Sequence, residues 1–205
     1  PALALPAAAL VALALLTQGL VKSLHVDRVL AREDTRNELR AWMLANVPAG
    51  ERVVIEPIVP RAWLPSRWRT WNTSRADVDD HARPLPRPGG RVRARYVKVD
   101  RYERTLRPAL LDEYRARGFC WVVIGSTQFE RAYAEPHEVP GAIAYYRALE
   151  RQGDERLRIS PYRAGAQPPA FNFDWSFDFY PGAFARPGPE LAVYRLNGCP
   201  VVSSR

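Results

Sequence analysis

The chain changes character after residue 21. Ala2 to Val21 reads ALALPAAALVALALLTQGLV without a charge, and Lys22 is the first charged residue. From Asp27 onward the sequence is charged, arginine-rich and aromatic. A run of about 20 apolar residues has the length of a bilayer-spanning helix, so the pattern predicts a transmembrane helix over residues 1–24 and a soluble domain over 25–205. A cleaved signal peptide fits less well, because Pro1 to Leu5 lacks the basic n-region. A buried core helix fits less well too, since no polar residue breaks the run until Thr17 and Gln18.

Beyond the run, helical and strand-like patterns alternate. Thr35-Arg36-Asn37-Glu38 fits a capping box. Leu39, Trp42, Met43 and Val47 then recur at helical spacing, and Pro48-Ala49-Gly50 ends that helix. Arg52 to Ile55 reads as a buried strand. Pro57 to Gly90 is irregular and rich in Pro, Trp and Arg, and Arg91 to Asp100 reads as a strand. A second helix is expected over Arg107 to Arg117, with Pro108 at its start and Gly118 as its cap. Phe119 to Ser126, FCWVVIGS, is the strongest strand signal. A third helix is expected from Pro140 to Gln152, with Ile143, Tyr146 and Leu149 on one side and Gly153 closing it. Arg156 to Ser160 and Leu191 to Leu196 are further strands. Such alternation predicts an α/β fold, a single mixed-sheet domain with helices packed on the sheet. Roughly 180 residues suffice for one such domain with its own core. Trp121, Val123 and Leu149 are expected inside it.

Charge adds little to that picture. The formal net charge is +8, and of the 30 basic residues only Lys22 and Lys98 are lysines. The arginines are scattered among acids such as Asp27, Glu33, Asp34 and Glu38, so no basic stripe marks a nucleic-acid face. Attraction to an anionic membrane surface or a lipid phosphate fits better beside an apolar helix. No metal site is expected, because no C-x-x-C pair occurs and His25, His81 and His137 lie far apart. No cofactor loop, nucleophile elbow or H-E-x-x-H motif occurs. Cys120 sits in an apolar strand, where a buried free thiol is the ordinary reading; a Cys120–Cys199 disulfide is the alternative for an extracytoplasmic domain. Gly125-Ser126-Thr127 reads as an ordinary strand exit, Asp79-Asp80-His81 as a solvated loop, and Asn72-Thr73-Ser74 is a glycosylation sequon, which would mean little if the protein were bacterial. Two aromatic clusters stand out. Residues 61–71 hold Arg61, Trp63, Arg67, Trp68, Arg69 and Trp71, and residues 171–180 hold Phe171, Phe173, Trp175, Phe177, Phe179 and Tyr180. Trp and Tyr favour the membrane–water boundary, and Arg pairs a phosphate bidentately. The competing reading of both clusters is sheet-edge packing.

The order of elements resembles the C-terminal part of bacterial phospholipid-carrier-dependent glycosyltransferases. These are similar to glycosyltransferase family 39, the protein-mannosyltransferase-like enzymes of GT-C architecture. The residues that carry the likeness are the apolar helix, Asp34-Thr35-Arg36 leading into Ala41 to Gly50, the strand Val53-Val54-Ile55-Glu56, and Tyr114-Arg115-Ala116-Arg117-Gly118 before Trp121 to Ser126. Ala144 to Leu149 and Gly188 to Leu196 complete it. The resemblance implies a cell-membrane protein whose soluble domain lies on the extracytoplasmic side. It implies transfer of a sugar from a polyprenyl-phosphate carrier to an acceptor. The family's catalytic acid lies in its first extracytoplasmic loop, so no catalytic residue is assigned here and this segment is expected to be inert alone. The chain begins with Pro, which suggests a piece of a longer protein whose last span is this helix. Lys22, Arg28 and Arg32 run against that orientation under the positive-inside tendency, although long domains are translocated despite such charges. Arg61, Trp63, Arg67 and Trp68 are the candidate substrate contacts. The expected partners are the lipid bilayer and the carrier-linked sugar, with no nucleic acid and no cofactor. The alternative is a membrane-anchored, non-enzymatic envelope binding or sensor domain. A soluble α/β enzyme with a leader lacks any recognisable nucleophile.

Overall fold

The computed structural model describes residues 4–57, 69–71, 99–172 and 180–199. The chain divides into two compact units, one of Pro1–Thr35 with Pro161–Gly188 and one of Arg36–Ser160 with Pro189–Arg205.

The larger unit is built on a mixed sheet. Its strands are β1 (Arg52–Ile55), β2 (Arg69–Trp71), β3 (Phe119–Gly125), β4 (Gly153–Ile159) and β5 (Leu191–Leu196), in the order β2-β1-β3-β5-β4. β1 runs parallel to β2 and β3, whereas β5 runs antiparallel to β3 and β4. The expected α/β class with helices on a mixed sheet is therefore the fold observed. β3 lies between β1 and β5 and is buried along its whole length.

Successive strand residues point to opposite faces, and the chain uses that alternation to build two cores. On one face Val53, Ile55, Trp121, Val123, Leu191, Val193 and Ile159 pack against Leu39, Met43 and Val47. Leu39 and Met43 belong to helix α2, Thr35–Asn46. Trp42 of that helix meets Trp121 edge to face, with ring centroids 6.4 Å apart. On the other face Val54, Val122, Ile124, Ala192, Tyr194 and Leu196 pack under a 3-10 helix (Val99–Thr105) and helices α3 (Leu110–Ala116), α4 (Ser126–Ala134) and α5 (Pro140–Gln152). Trp121, Val123 and Leu149 are all buried, as expected. Gly141 in the first turn of α5 leaves room for the Leu106 carbonyl, since a Cβ there would lie 2.7 Å from that oxygen.

Several expectations need correction. Residues 91–98 lie outside the described residues, and Val99 and Asp100 open the 3-10 helix rather than end a strand. The helix expected from Arg107 begins at Leu110, because Pro108 and Ala109 form a turn whose carbonyls accept from the N–H groups of Leu111 and Glu113. Ser126 ends no strand; it starts α4 directly from β3. Gly153 closes α5, as expected, and in an extended conformation (φ −122°) it also opens β4, three residues before that strand's expected start.

In the smaller unit, helix α1 runs from Ala4 to Leu30. It passes without a break from the uncharged stretch through Lys22, His25, Asp27 and Arg28. Among the described residues no helix is long and apolar enough to cross a membrane. The transmembrane helix expected over residues 1–24 is thus not supported by the fold. In its uncharged stretch the described apolar side chains of α1 are nonetheless open: Val11, Leu13, Leu16, Leu20 and Val21 are 59–72% exposed, whereas Val29 near its end is buried. The described residues 161–172 and 180–188 of this unit are irregular and bond to one another. Arg163 N–H donates to Ala183 O at 2.8 Å and Ala185 N–H to Pro161 O at 2.7 Å.

Cys120 and Cys199 form a disulfide, with Cα atoms 5.8 Å apart across a sequence separation of 79. It pins the start of β3 to the chain just past the Asn197-Gly198 turn after β5. A free buried Cys120 is therefore not what the fold uses. Closing a loop of that length is worth about 4 kcal/mol in the chain-entropy account. Replacing both cysteines by Ala is expected to lower unfolding free energy by about 2–4 kcal/mol, read from urea midpoints at constant slope. An unchanged midpoint would remove the disulfide from the list of stabilising features.

Candidate functional site

The carboxyl ends of β1 and β3 meet at Glu56. The residue follows β1, and its N–H donates to Val123 O at 3.1 Å, which carries the β1–β3 ladder one step further. That step commits the Glu56 side chain to the interior, where it is 1% exposed. Its Oε2 accepts the Gly125 N–H at 3.0 Å and its Oε1 accepts the Tyr146 hydroxyl at 2.7 Å. One side chain thus joins β1 to the β3–α4 junction and to α5.

The surroundings are aromatic and acidic. Tyr102 and Glu103 come from the 3-10 helix, Tyr114 from α3, and Tyr145 and Tyr146 from α5, all buried. Tyr145 and Tyr146 pack edge to face with centroids 5.3 Å apart, and Phe129 lies 6.3 Å from Tyr146. Arg131 on α4 approaches Glu103 at 4.0 Å. Burial pushes the Glu56 carboxyl up from 4.5 to about 8; the bonds from Gly125 and Tyr146 oppose the shift and the Glu103 charge adds to it. Burial likewise pushes the hydroxyls of Tyr102, Tyr114, Tyr145 and Tyr146 above the usual tyrosine range. At neutral pH the hub is a protonated acid among neutral phenols. Such a group holds and donates protons, but at 1% exposure it meets no solute in this conformation. Its chemistry here is to tie elements together.

A second charged cluster lies on β4 and β5. Arg158 bonds Glu155 at 2.6 and 3.0 Å and Glu190 at 2.6 Å, and lies 3.1 Å from the Tyr194 hydroxyl. The hydrogen bonds from Arg158 hold the Glu155 carboxyl below the usual range. Burial and the bond to Glu155 push the Tyr194 hydroxyl up. These groups satisfy one another.

Arg61, Trp63, Arg67 and Trp68 lie outside the described residues, as do Asp79-Asp80-His81 and Asn72-Thr73-Ser74. Of the first aromatic cluster, Arg69 to Trp71 form β2, paired in parallel with β1. Of the second, Phe171, Asn172 and Tyr180 are described and the residues between are not. Gly125-Ser126-Thr127 joins β3 to β5 through Ser126, whose N–H donates to Glu190 O at 2.8 Å and whose Oγ accepts from Glu190 N–H at 3.1 Å. Among the described residues no group of His, Cys, Asp and Glu could hold a metal ion. Sequence reasoning missed Glu56 as a hub. The available signal was an acid ending an otherwise apolar strand, followed at once by Pro57. No protein-family model, curated protein or solved structure matches the chain.

The Glu56 carboxyl makes stability depend on pH with a definite sign. Its folded value, about 8, lies above the ordinary 4.5, so the folded state keeps a proton that the unfolded chain releases. The stabilisation is full below pH 4.5, falls as pH rises and levels off above about 8. The ceiling is about 5 kcal/mol, at about 1.4 kcal/mol per unit. Urea unfolding at several pH values should show this decline in the parent and a flatter profile in Glu56→Gln. Parallel profiles would show that Glu56 is not the group responsible.

Proposed function

We propose that the chain is the soluble extracytoplasmic part of a membrane glycosyltransferase that moves a sugar from a polyprenyl-phosphate carrier to an acceptor. The reading is carried by one conjunction: an exposed apolar helix and a disulfide-closed α/β domain in the same chain. Exposed leucines and valines on most sides of a helix call for an apolar solvent rather than a single groove. A disulfide persists in oxidising compartments. Together they favour a domain held at the outer side of a membrane, with the uncharged start of α1 in the bilayer.

The glycosyltransferase assignment itself rests on the resemblance in element order. Each segment that carries it is a regular element of the fold or borders one: α1, α2, β1 with Glu56, α3 into β3, α5, and β5. This segment is proposed to be non-catalytic alone. It would shape the membrane-facing substrate cleft, with Arg61 and Arg67 meeting phosphate and Trp63 and Trp68 meeting an isoprenoid or sugar face.

Two measurements test this. After an alkaline wash the 205-residue chain should stay with the membrane fraction, while a chain starting at about residue 36, where the larger unit begins, should be released. Recovery of the intact chain in the soluble fraction would count against the anchor. With a polyprenyl-phosphate sugar, the longer parent protein should transfer and the isolated chain should not. Arg67→Ala in the parent should slow turnover about tenfold, the loss of one charged hydrogen-bonded contact. A parent protein that binds envelope components but transfers no sugar would favour the non-enzymatic binding domain.

A further inference from the structure

Where α1 leaves its uncharged stretch, the smaller unit carries aromatic and basic side chains. Lys22 is the first charge. One turn later His25 Nε2 lies 3.2 Å from the Pro181 carbonyl, which fixes the height at which residues 180–188 meet the helix. Val21 to His25 is about 6 Å along the axis at 1.5 Å per residue. A headgroup layer is roughly 5–7 Å deep on each side of the hydrocarbon core. The two lengths agree.

The loop at that height is rich in amphipathic groups. Tyr162 and Tyr180 flank Phe184, with centroids 4.9 and 5.2 Å away. Arg163 is exposed and its guanidinium donates to the Gly182 carbonyl, which aligns it along the loop. On α1, Arg28 follows His25 by three residues and so shares its face. The last turn continues to Arg32, whose N–H donates to Val29 O at 3.1 Å. Arg28 and Arg32 are exposed. Asp27 projects about 100° around the helix from Arg28, and Glu33 and Asp34 follow the helix. Tyrosine and arginine together are the side chains that settle at a headgroup layer.

We propose that residues 161–172 and 180–188, with the end of α1, form a collar that binds anionic phospholipid headgroups through Arg163 and through Arg28, whose long side chain reaches back along the helix toward that level. The proposal rests on the reading that the start of α1 enters the bilayer. The carbonyl bond at His25 holds the loop at the level where lipid phosphates sit, and the half-buried rings of Tyr162, Tyr180 and Phe184 supply its apolar footing.

The test uses the full 205-residue chain with two vesicles, phosphatidylcholine alone and phosphatidylcholine containing phosphatidylglycerol. Flotation reads the anchor, and hydrogen exchange followed by mass spectrometry reads the collar. The chain should float with both vesicles. Amides of 161–172 and 180–188 should exchange more slowly on the anionic vesicles. Each of Arg28→Gln and Arg163→Gln should reduce the preference for anionic vesicles roughly fivefold, the worth of one arginine near a charged surface. Arg156→Gln, on exposed β4, should leave that preference unchanged. Equal exchange of the two segments on both vesicles, with flotation retained, would overturn the collar and leave the anchor standing. Failure to float with either would overturn both.

Discussion

A strand buried on both faces cannot be satisfied by one layer of helices, and β3 is such a strand. Its seven residues are all inside. The side chains of Trp121 and Val123 require α2 on one face, while Val122 and Ile124 require the 3-10 helix, α3, α4 and α5 on the other. The polar consequence appears where the strand ends. Burial there must include the backbone N–H of Gly125, and Glu56 supplies the acceptor. A carboxylate would serve that N–H better than a carboxylic acid, yet the apolar surroundings hold the proton on. The hub is therefore a compromise between hydrogen bonding and desolvation, and desolvation is the larger of the two.

Much of this layout can be read from residue spacing. β1, β5 and α5 have the bounds that apolar runs and helical spacing assign, because each is flanked by Pro or Gly or by a sharp change of polarity. α4 could not be placed so easily. Ser126 follows β3 with no turn residue beyond Gly125, so the run of apolar residues hides a change from extended to helical backbone. Phe129, Ala132 and Tyr133 at helical spacing were the available sign. The start of β4 was hidden for a related reason, since Gly153 both closes α5 and, in an extended conformation, begins the strand with no loop between them.

The hub was illegible because its parts are distant in sequence. Glu56 and Tyr146 are 90 residues apart and Glu56 and Gly125 are 69 apart. No local pattern encodes a contact of that separation. The disulfide posed a similar problem: two cysteines define one pairing, but only the placement of Cys199 just past β5, beside the start of β3, says that it forms. The membrane-facing reading stands on a different footing. It joins a sequence property, the uncharged stretch before Lys22, to side-chain exposure along α1 and to the aromatic loop that meets His25.

The fold turns on a neutral carboxyl group held at the end of the central strand. Its most direct measurement is the carboxyl ¹³C chemical shift of Glu56, followed by NMR in the folded protein as pH is raised. A midpoint near 8 is expected, with the Gly125 amide proton shifting over the same range. A midpoint near 4.5, the ordinary value, would contradict it and place the Glu56 side chain in water rather than in the core.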